Sequence, residues 1–425
     1  MINDPKIFKK WFTASIIPIV LFYLCEFRFF YLISLPAVLV AGSTNKNLLA
    51  VFSVCAFAWF LIREKKLKFG YFGISFILVF VSVTISTILS SFEFGYKLTQ
   101  VIWGILPYLL LLLYFPAKRY LADKTTMEQF IVIGEIASIF VSILFFIQYA
   151  KYTGKPSVFL KIPDLIPDHY IWHPEEGLRI RNTFDGFFRV FSLVIFDRII
   201  AKKFRKSLLD IISYATILAV ILLIDRSRAY LVIVLVSSIA ILIYRSRKRI
   251  TTVIFLVGSL ALMGGAAVAF IKLTSIAESV LNNSGSWFAR VEAAGHYMGV
   301  GFEHIFFGIG MADPESYPAV EKYVRGLQGL YYPDDVGLFG LFALLGIIGI
   351  ALYIVIMIKV CRSFKYATDN KALLFGLMIC LILSSVLTSY FDKARLMALV
   401  FTAVLCEINT DPRLSKYEFN RFNRL

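Results

Sequence analysis

Two arginines interrupt one of the most apolar stretches of the chain. The segment LLIDRSRAYLVIVLV, residues 222–236, places Asp225, Arg226 and Arg228 among aliphatic residues. An arginine at the centre of a membrane costs roughly 2.5 to 3.5 kcal/mol on insertion scales, so charges retained beside a span need a reason. Guanidinium groups bind phosphate or pyrophosphate through bidentate, charge-assisted hydrogen bonds. The segment therefore indicates an anion site at a membrane boundary, with ion pairing to Asp225 as the structural alternative.

Further arginines fall at the same predicted boundary. Arg290 stands in the larger polar segment, Arg395 ends the sequence DKAR, and Arg181 lies in RIRNTFDGFF just before an apolar run. Snorkelling to lipid head groups usually explains arginines on the cytoplasmic side, but these fall on the opposite side. We predict that at least one of them binds an anion. Pairing with Asp392 is the structural alternative for Arg395.

Two adjacent carboxylates stand at the start of another apolar run. In YYPDDVGLFGLFALLGIIGI, Asp334 and Asp335 lead directly into a predicted membrane helix. Capping and the helix dipole favour one carboxylate there by about 0.3 to 1 kcal/mol, and two exceed what a cap needs. Apolar surroundings raise the pKa of a carboxyl group. Either residue could therefore serve as a general base near neutral pH.

Histidines offer a weaker signal for a metal site. His169 and His173 are four residues apart in HYIWHPEEG, a spacing that could bind a metal on a helix. Pro174 and the aromatic neighbours make a loop the better interpretation, and His296 with His304 gives no stronger signal. We therefore predict neither a metal nor a cofactor.

The composition defines the elements that must position these groups. Of the 425 residues, 59% are hydrophobic and only 17% are charged, which is too little charge to coat a soluble globule of this size. The net charge of +16 arises from short clusters of lysine and arginine between long apolar runs. Such clusters indicate membrane topology and not a nucleic-acid-binding face. We predict an all-α, polytopic integral membrane protein in a lipid bilayer.

Apolar runs near 20 residues long predict the membrane spans. Two passes are expected within residues 11–62, the second at 46–62, because the positive-inside rule then places the flanking basic clusters in the cytoplasm. Ten further spans bring the predicted total to twelve: 69–90, 97–115, 128–150, 188–201, 207–224, 229–244, 251–271, 336–358, 371–390 and 394–409. Both termini are then cytoplasmic, and the long polar segments 151–186 and 272–335 face outward.

The larger outer segment carries a helical pattern. From Trp287 to Phe307, apolar and aromatic residues recur at helical spacing, which predicts an amphipathic helix along the outer surface. Gly308 and Gly310 should end this helix and allow another backbone to approach closely. No strand precedes these glycines, so we do not interpret them as a nucleotide-binding loop.

Three motifs together resemble the O-antigen ligase and polymerase superfamily of bacterial cell-envelope glycosyltransferases. LLIDRSRAYLVIVLV resembles the family's span that ends in serine or threonine next to arginine. GSWFARVEAAGHYMGVGFEHIFFGIG is similar to its periplasmic-loop motif of an arginine, an amphipathic helix and a glycine pair. DDVGLFGLFALLGIIG resembles the following helix start, where ligases carry histidine and this chain has Asp335. The resemblance runs from about residue 178 to the C-terminus.

The resemblance implies a reaction and its partners. A growing glycan on undecaprenyl pyrophosphate would pass, without a metal, to a sugar hydroxyl of a new undecaprenyl-pyrophosphate-linked oligosaccharide. This would occur at the periplasmic face of the bacterial inner membrane. A chain-length regulator is a further protein partner that the resemblance allows.

The resemblance also implies roles for individual residues. Arg226 or Arg228, together with Arg290, would hold the pyrophosphate, and Arg181 could add to this anion site. Asp335 would act as the base, with Asp334 or Glu292 as substitutes. Because Asp335 replaces the ligases' histidine, the chain is closer to the polymerases.

Two alternatives remain open. An O-antigen ligase would differ only in its acceptor, the lipid A core. A flippase or transporter of lipid-linked sugars would also have about twelve spans, but such proteins usually bind substrates near the midplane, often between internal repeats. Few charges of this chain fall near the midplane, among them Glu26 and Glu135, and no repeat is evident.

Overall fold

The computed structural model of the chain describes residues 16–32, 44–65, 67–152, 171–172, 178–182, 184–201, 207–246, 285–311, 318–326, 329 and 331–410. Helices make up nearly all of this part of the chain. In order they are α1 (Ile16–Glu26), α2 (Thr44–Glu64), α3 (Gly73–Phe94), α4 (Leu98–Ile105), α5 (Tyr114–Tyr120), α6 (Lys124–Tyr152), α7 (Asp185–Ala201), α8 (Leu208–Ala219), α9 (Arg228–Ser246), α10 (Gly285–Glu303), α11 (Pro318–Arg325), α12 (Gly337–Lys365), α13 (Lys371–Leu387) and α14 (Leu396–Ile408).

Short helical turns extend or link several of these helices. A 3₁₀ turn at Phe29–Leu32 follows α1, and another at Leu106–Leu113 joins α4 to α5. A π-helical turn at Val220–Ile224 extends α8, and a 3₁₀ turn at Pro333–Asp335 precedes α12. The small hairpin of β1 (Ile171–Trp172) and β2 (Arg179–Ile180) was not predicted, because strands of two residues are too short to show a period.

The prediction of an all-α protein with membrane-spanning helices is confirmed at the level of class. Within the described residues, six helical segments are long and apolar enough to cross a membrane, and four more are shorter but apolar. Each predicted span from residue 46 onward coincides with a helical segment, except 251–271, which lies outside the described residues. The polar segments 151–186 and 272–335 are likewise described only in part.

Helix α7 lies at the centre of the bundle. It packs against α8, α9, α13 and α14, and most of its side chains are buried, including Phe187, Phe188 and Phe191. Gly186 lets the backbone of Arg395 approach, since a Cβ at this position would lie 3.1 Å from the Cα of Arg395. The start of α14 is therefore pressed against the start of α7.

Helices α10 and α11 form a second small core beside the bundle. Tyr297 of α10 donates a hydrogen bond of 2.6 Å to the carbonyl of Val324 in α11. Buried aliphatic side chains of both helices pack with Val336 and Ala343, which belong to the start of α12. A helix is thus observed, as α10, where the amphipathic helix was predicted, but its buried face is formed by Ala293, Tyr297 and Val300, and Val291 of the predicted apolar stripe is exposed. Helix α11 adds a second, amphipathic helix to the larger polar segment.

Helix α12 is interrupted at Gly346, which has φ 62° and ψ −161°. The segment 305–310 fills the break, because Ile309 and Gly310 donate their N–H groups to Ala343 and Leu344 at 2.9 Å. In return, Ile347 donates to the carbonyl of Ile305 at 2.8 Å. Non-helical backbone at membrane depth is tolerated when protein groups satisfy it in this way.

The glycines at this crossing have the role predicted for them. Gly308 and Gly310 have φ values of 65° and 70°, in the left-handed region that favours glycine. A Cβ on Gly308 would collide with the backbone of Leu344, and a Cβ on Gly310 would lie 2.9 Å from the Cα of Thr87. The pair therefore lets residues 305–311 pack between α3 and α12.

Replacing Gly346 with alanine should destabilise the protein. The backbone conformation alone should cost about 1–3 kcal/mol, and a new Cβ would also collide with the carbonyl of Phe306. Gly299→Ala is the matched control, because that glycine is helical and has open space around it. The control should be neutral or stabilising by up to about 1 kcal/mol. The measurement is the thermal unfolding midpoint in detergent, and equal midpoints for both variants would contradict a strained crossing.

Candidate functional site

Several helices begin at one place in the structure, which we call the site end. Helices α7, α9, α12 and α14 start there, at Asp185, Arg228, Gly337 and Leu396. No side chain caps the first turn of α12 or α14. Because helix N-termini carry partial positive charge and exposed N–H groups, this convergence favours anions.

A buried guanidinium connects the helices at the site end. Arg395, just before α14, is 1% exposed and donates hydrogen bonds to Asp392 at 2.8 Å and to the Tyr230 hydroxyl at 2.7 Å. Its Nε lies 3.4 Å from Asp185 of α7. A desolvated charge of this kind is tolerated because several acceptors surround it. Pairing with Asp392, which we gave as the alternative to anion binding, is therefore observed for Arg395.

A second buried arginine shares one of these carboxylates. Arg189 is 0% exposed and donates hydrogen bonds to Asp185 at 2.9 Å and to Ser384 of α13 at 3.1 Å. Its guanidinium also lies over the Tyr230 ring, 4.2 Å from the centroid. Asp185 thus lies between two guanidinium groups, and the cluster ties α7, α9, α13 and the start of α14 together.

Asp225 pairs with an arginine that we did not assign to it. Its buried carboxylate lies 3.6 Å from the guanidinium of Arg179 in β2. Burial raises the pKa of Asp225 to about 6, since the positive charge of Arg179 opposes the effect only in part. The hairpin is therefore tied to the C-terminal end of α8 at the site end.

The predicted base residues lie beside Arg181. Desolvation lowers the pKa of Arg181, but the carboxylates of Asp335 and Asp334 outweigh it, so the pKa is raised and the guanidinium stays charged. Burial and the nearby Asp392 carboxylate raise the pKa of Asp334 to about 7, against the opposing fields of Arg395 and Arg181.

A cavity of about 170 Å³ opens at this place. Asp334 and Asp392 line it with carboxylates, and Arg325 and Lys393 line it with cations. The aromatic part of its wall comes from Tyr108, Tyr332 and Phe391. The site end therefore combines a concave space, groups of both charges and a carboxyl group whose pKa is raised toward neutrality.

The structure brings together only some of the predicted site residues. Arg181, Asp334 and Asp335 lie close to one another. Arg226 is exposed, adopts a left-handed conformation with φ 50°, and directs its guanidinium toward the Tyr149 hydroxyl at 3.5 Å. Arg290 is only partly buried on α10 and forms no recorded hydrogen bond or ion pair with the described residues. Arg228 starts α9, but its side chain lies outside the described part of the structure.

Sequence reasoning missed the centre of the cluster. Asp185, Arg189 and Tyr230 were not proposed as site residues, whereas Arg395 was named as a candidate anion-binding residue with Asp392 as its alternative partner. A signal was available, because FDGFFRVF places an aspartate and an arginine four residues apart inside an aromatic run. A carboxylate and a guanidinium at this spacing lie on one face of a helix. Because a buried charge is costly unless it is paired, two such groups in an apolar run are expected to form an ion pair.

The histidines take part in other contacts. His296 lies 2.9 Å from the carbonyl of Tyr323, and the His304 ring is 3.5 Å from Glu93. His169 and His173 lie outside the described residues. In the described part of the chain, no group of three or more histidine, cysteine, aspartate or glutamate residues is arranged to hold a metal ion.

The fold and the site define an all-α protein with membrane-length apolar helices and a charged cavity where several helices begin. No protein-family model matches the chain, and no curated protein matches it. Any functional assignment therefore rests on the residues and their geometry.

Loss of the Arg395 guanidinium should destabilise the protein. Arg395→Gln would leave Asp392 without its cation in a buried place, which typically costs about 3–5 kcal/mol. The matched control is Arg226→Gln, because this exposed arginine should change stability by no more than about 0.5 kcal/mol. Unfolding midpoints of purified protein in detergent would compare the two. A control variant that is as unstable as Arg395→Gln would contradict the special role of the buried cluster.

Proposed function

We propose that this protein is a bacterial inner-membrane glycosyltransferase that joins undecaprenyl-pyrophosphate-linked oligosaccharide units into O-antigen or a related surface polysaccharide. The observation that carries the proposal is the cavity at the site end, which Asp334 lines together with the cations of Arg325 and Lys393, and where burial raises the pKa of Asp334 to about 7. Such a site suits a reaction with an anionic leaving group and a hydroxyl nucleophile. The resemblance in the three sequence motifs supports the same assignment.

The donor's pyrophosphate would lie against cations at the site end. Arg181 is close to the proposed base, and Arg228 starts a helix whose N-terminus also favours an anion. Arg290 is only partly buried on α10, and its guanidinium could add to this anion site. Arg395 and Arg189 already pair with carboxylates, so they would act by holding the site together.

The proposed step needs one base and no metal. The acceptor hydroxyl oxygen attacks the anomeric carbon of the donor sugar, and the bond from that carbon to the pyrophosphate oxygen breaks. Undecaprenyl pyrophosphate leaves with the bonding electrons, and Asp334 takes the hydroxyl proton. The arginines and helix N-termini would stabilise the charge that develops on the leaving group. We now prefer Asp334 to Asp335 as the base because Asp334 lines the cavity.

The proposed topology has twelve spans, cytoplasmic termini and the site end in the periplasm. Basic clusters such as REKKLK and RSRKR support this orientation by the positive-inside rule. They fall at helix ends opposite the site end, for example after α2 and at the end of α9. A lipid-linked donor and acceptor could then reach the site from the outer leaflet.

A transporter is the second candidate, and the interruption of α12 at Gly346 favours it. Transporters often bind substrates or ions at broken helices near the membrane midplane. Here the segment 305–310 forms hydrogen bonds with main-chain N–H and C=O groups on both sides of the break, so fewer of these groups remain to bind a substrate. The polymerase is therefore the better supported proposal, and a ligase would share its chemistry with a different acceptor.

The proposal predicts a specific effect of changing Asp334. Asp334→Asn should lower the polymerisation rate by about 10²- to 10⁴-fold, the usual contribution of a general base. Asp335→Asn is the matched control and should retain a rate within about tenfold of wild type, since its carboxylate acts through Arg181. Because the base must be deprotonated, the wild-type rate should rise with pH through about 7. Polymer formation by proteoliposomes with lipid-linked repeat units would measure both effects.

A gel of surface polysaccharide from a deletion strain would test the class. Collapse of the ladder to core bearing one repeat unit, restored by wild type and not by Asp334→Asn, would support the polymerase. Loss of every repeat would instead support the ligase. An unchanged ladder would contradict both glycosyltransferase assignments, and inactivity of only Asp335→Asn would move the base to Asp335.

A further inference from the structure

The face of α10 that points away from the bundle is apolar and exposed. The opposite face is buried through Ala293, Tyr297 and Val300. Val291 and Phe302 lie on the exposed side, about three helical turns apart, and Phe302 is 62% exposed. Large apolar side chains that are exposed together indicate contact with a partner or with a membrane.

The exposed apolar surface extends into the turn that follows α10. Ile305 and Phe306 are both exposed, and Phe306 reaches 65%. The sequence from 305 to 311 reads IFFGIGM and contains no charged residue. We call the three exposed side chains at this end, Phe302, Ile305 and Phe306, the apolar ridge.

The apolar ridge lies at membrane depth. Its turn is hydrogen-bonded to α12 on both sides of Gly346, which comes nine residues after the first residue of that helix, Gly337. At 1.5 Å per residue, the turn lies about 14 Å from the start of α12. Helix α12 is one of the segments long enough to cross a membrane, and half of the hydrocarbon core is about 15 Å thick. Because its main chain is paired with α12, the turn can enter hydrocarbon without leaving these polar groups unsatisfied.

The ridge is continuous with an exposed apolar surface of α12. The rings of Phe302 and Phe342 meet edge to face, with their centroids 5.5 Å apart. Ile347 donates its N–H group to the carbonyl of Ile305 and is 47% exposed. Ile354 is exposed on the same side of α12, about two turns further along. An apolar surface that runs along a membrane-length helix in this way is typical of a face in contact with lipid.

We infer that the apolar ridge is immersed in the lipid leaflet at the site end, where it contacts hydrocarbon chains and anchors α10 and α11. Lipid suits the ridge better than a second copy of the chain, because the exposed surface continues along α12. The anchor matters for the site, since Val324 and Arg325 of α11 line the cavity. This inference concerns contact with lipid and does not depend on the proposed glycosyltransferase reaction.

Quenching of tryptophan fluorescence by lipid tests the immersion. Phe306→Trp and Phe302→Trp are reconstituted separately, as full-length protein, in nanodiscs of phosphatidylcholine with plain or brominated acyl chains. The fluorescence added relative to wild type should be lower with the brominated lipid in each variant. The matched control is Glu321→Trp, because Glu321 is an exposed polar residue of α11. Its added fluorescence should be the same in both lipids and should be quenched by iodide in the buffer.

The same measurement can overturn the inference. Added fluorescence that is equal in both lipids for the two ridge variants would show that hydrocarbon does not reach the ridge. If the protein were then also dimeric in the nanodiscs by mass, the second copy would replace lipid as the occupant. Quenching of Glu321→Trp by brominated lipid as strong as that of Phe306→Trp would equally contradict a contact specific to the ridge.

Hydrogen–deuterium exchange tests the anchor. The double variant Phe302→Gln/Phe306→Gln should show faster amide exchange in α11 than wild type in nanodiscs, because glutamine is costly to bury in hydrocarbon. Leu208→Gln is the matched control, since Leu208 is an exposed apolar residue at the start of α8, far from α11 along the bundle. Exchange in α11 that is unchanged in the double variant, or equally faster in the control, would overturn the anchoring role. No donor or acceptor lipid is needed, so these results are independent of any polymerisation assay.

Discussion

The buried guanidinium of Arg395 is the constraint on which the site end depends. A charge with 1% exposure is stable only where acceptors surround it, and here they come from α7, α9 and the turn before α14. Those elements must therefore meet at one point and in one orientation. Once they do, Asp392 is held at the cavity, and Arg395 contributes the positive field that Asp334 experiences.

Helices α10 and α11 complete the cavity that this cluster begins. Helices α10 and α11 form their own small core against the start of α12, and Val324 and Arg325 of α11 contribute one wall. The glycine crossing at residues 305–310 brings Met311 to the same cavity. The interruption at Gly346 thus helps to dock α10 and the segment that follows it on the bundle, which links a local feature of the sequence to the shape of the site.

The all-α membrane class and the positions of individual helices could be predicted from the sequence, because both depend on the spacing of apolar residues that are close together in the chain. Apolar runs located the helices, and spacing alone identified α10 and the role of Gly308. The partners of individual charges could not be predicted in this way. Asp225 pairs with Arg179, 46 residues earlier, although two arginines stand within three residues of it. This ion pair depends on a tertiary contact between the hairpin and the turn at Asp225, and sequence periodicity contains no information about such contacts.

The two adjacent aspartates show why residue type alone could not settle the base. They lie in a 3₁₀ turn, where three residues complete one turn and neighbouring side chains diverge by about 120°. Asp334 lines the cavity, and the carboxylate of Asp335 is the strongest opposing charge felt by Arg181. In the proposed mechanism, Asp334 would exchange a proton with a bound hydroxyl, and Asp335 would hold the Arg181 guanidinium beside it. The adjacent pair would then serve two roles, whereas a helix cap needs only one carboxylate.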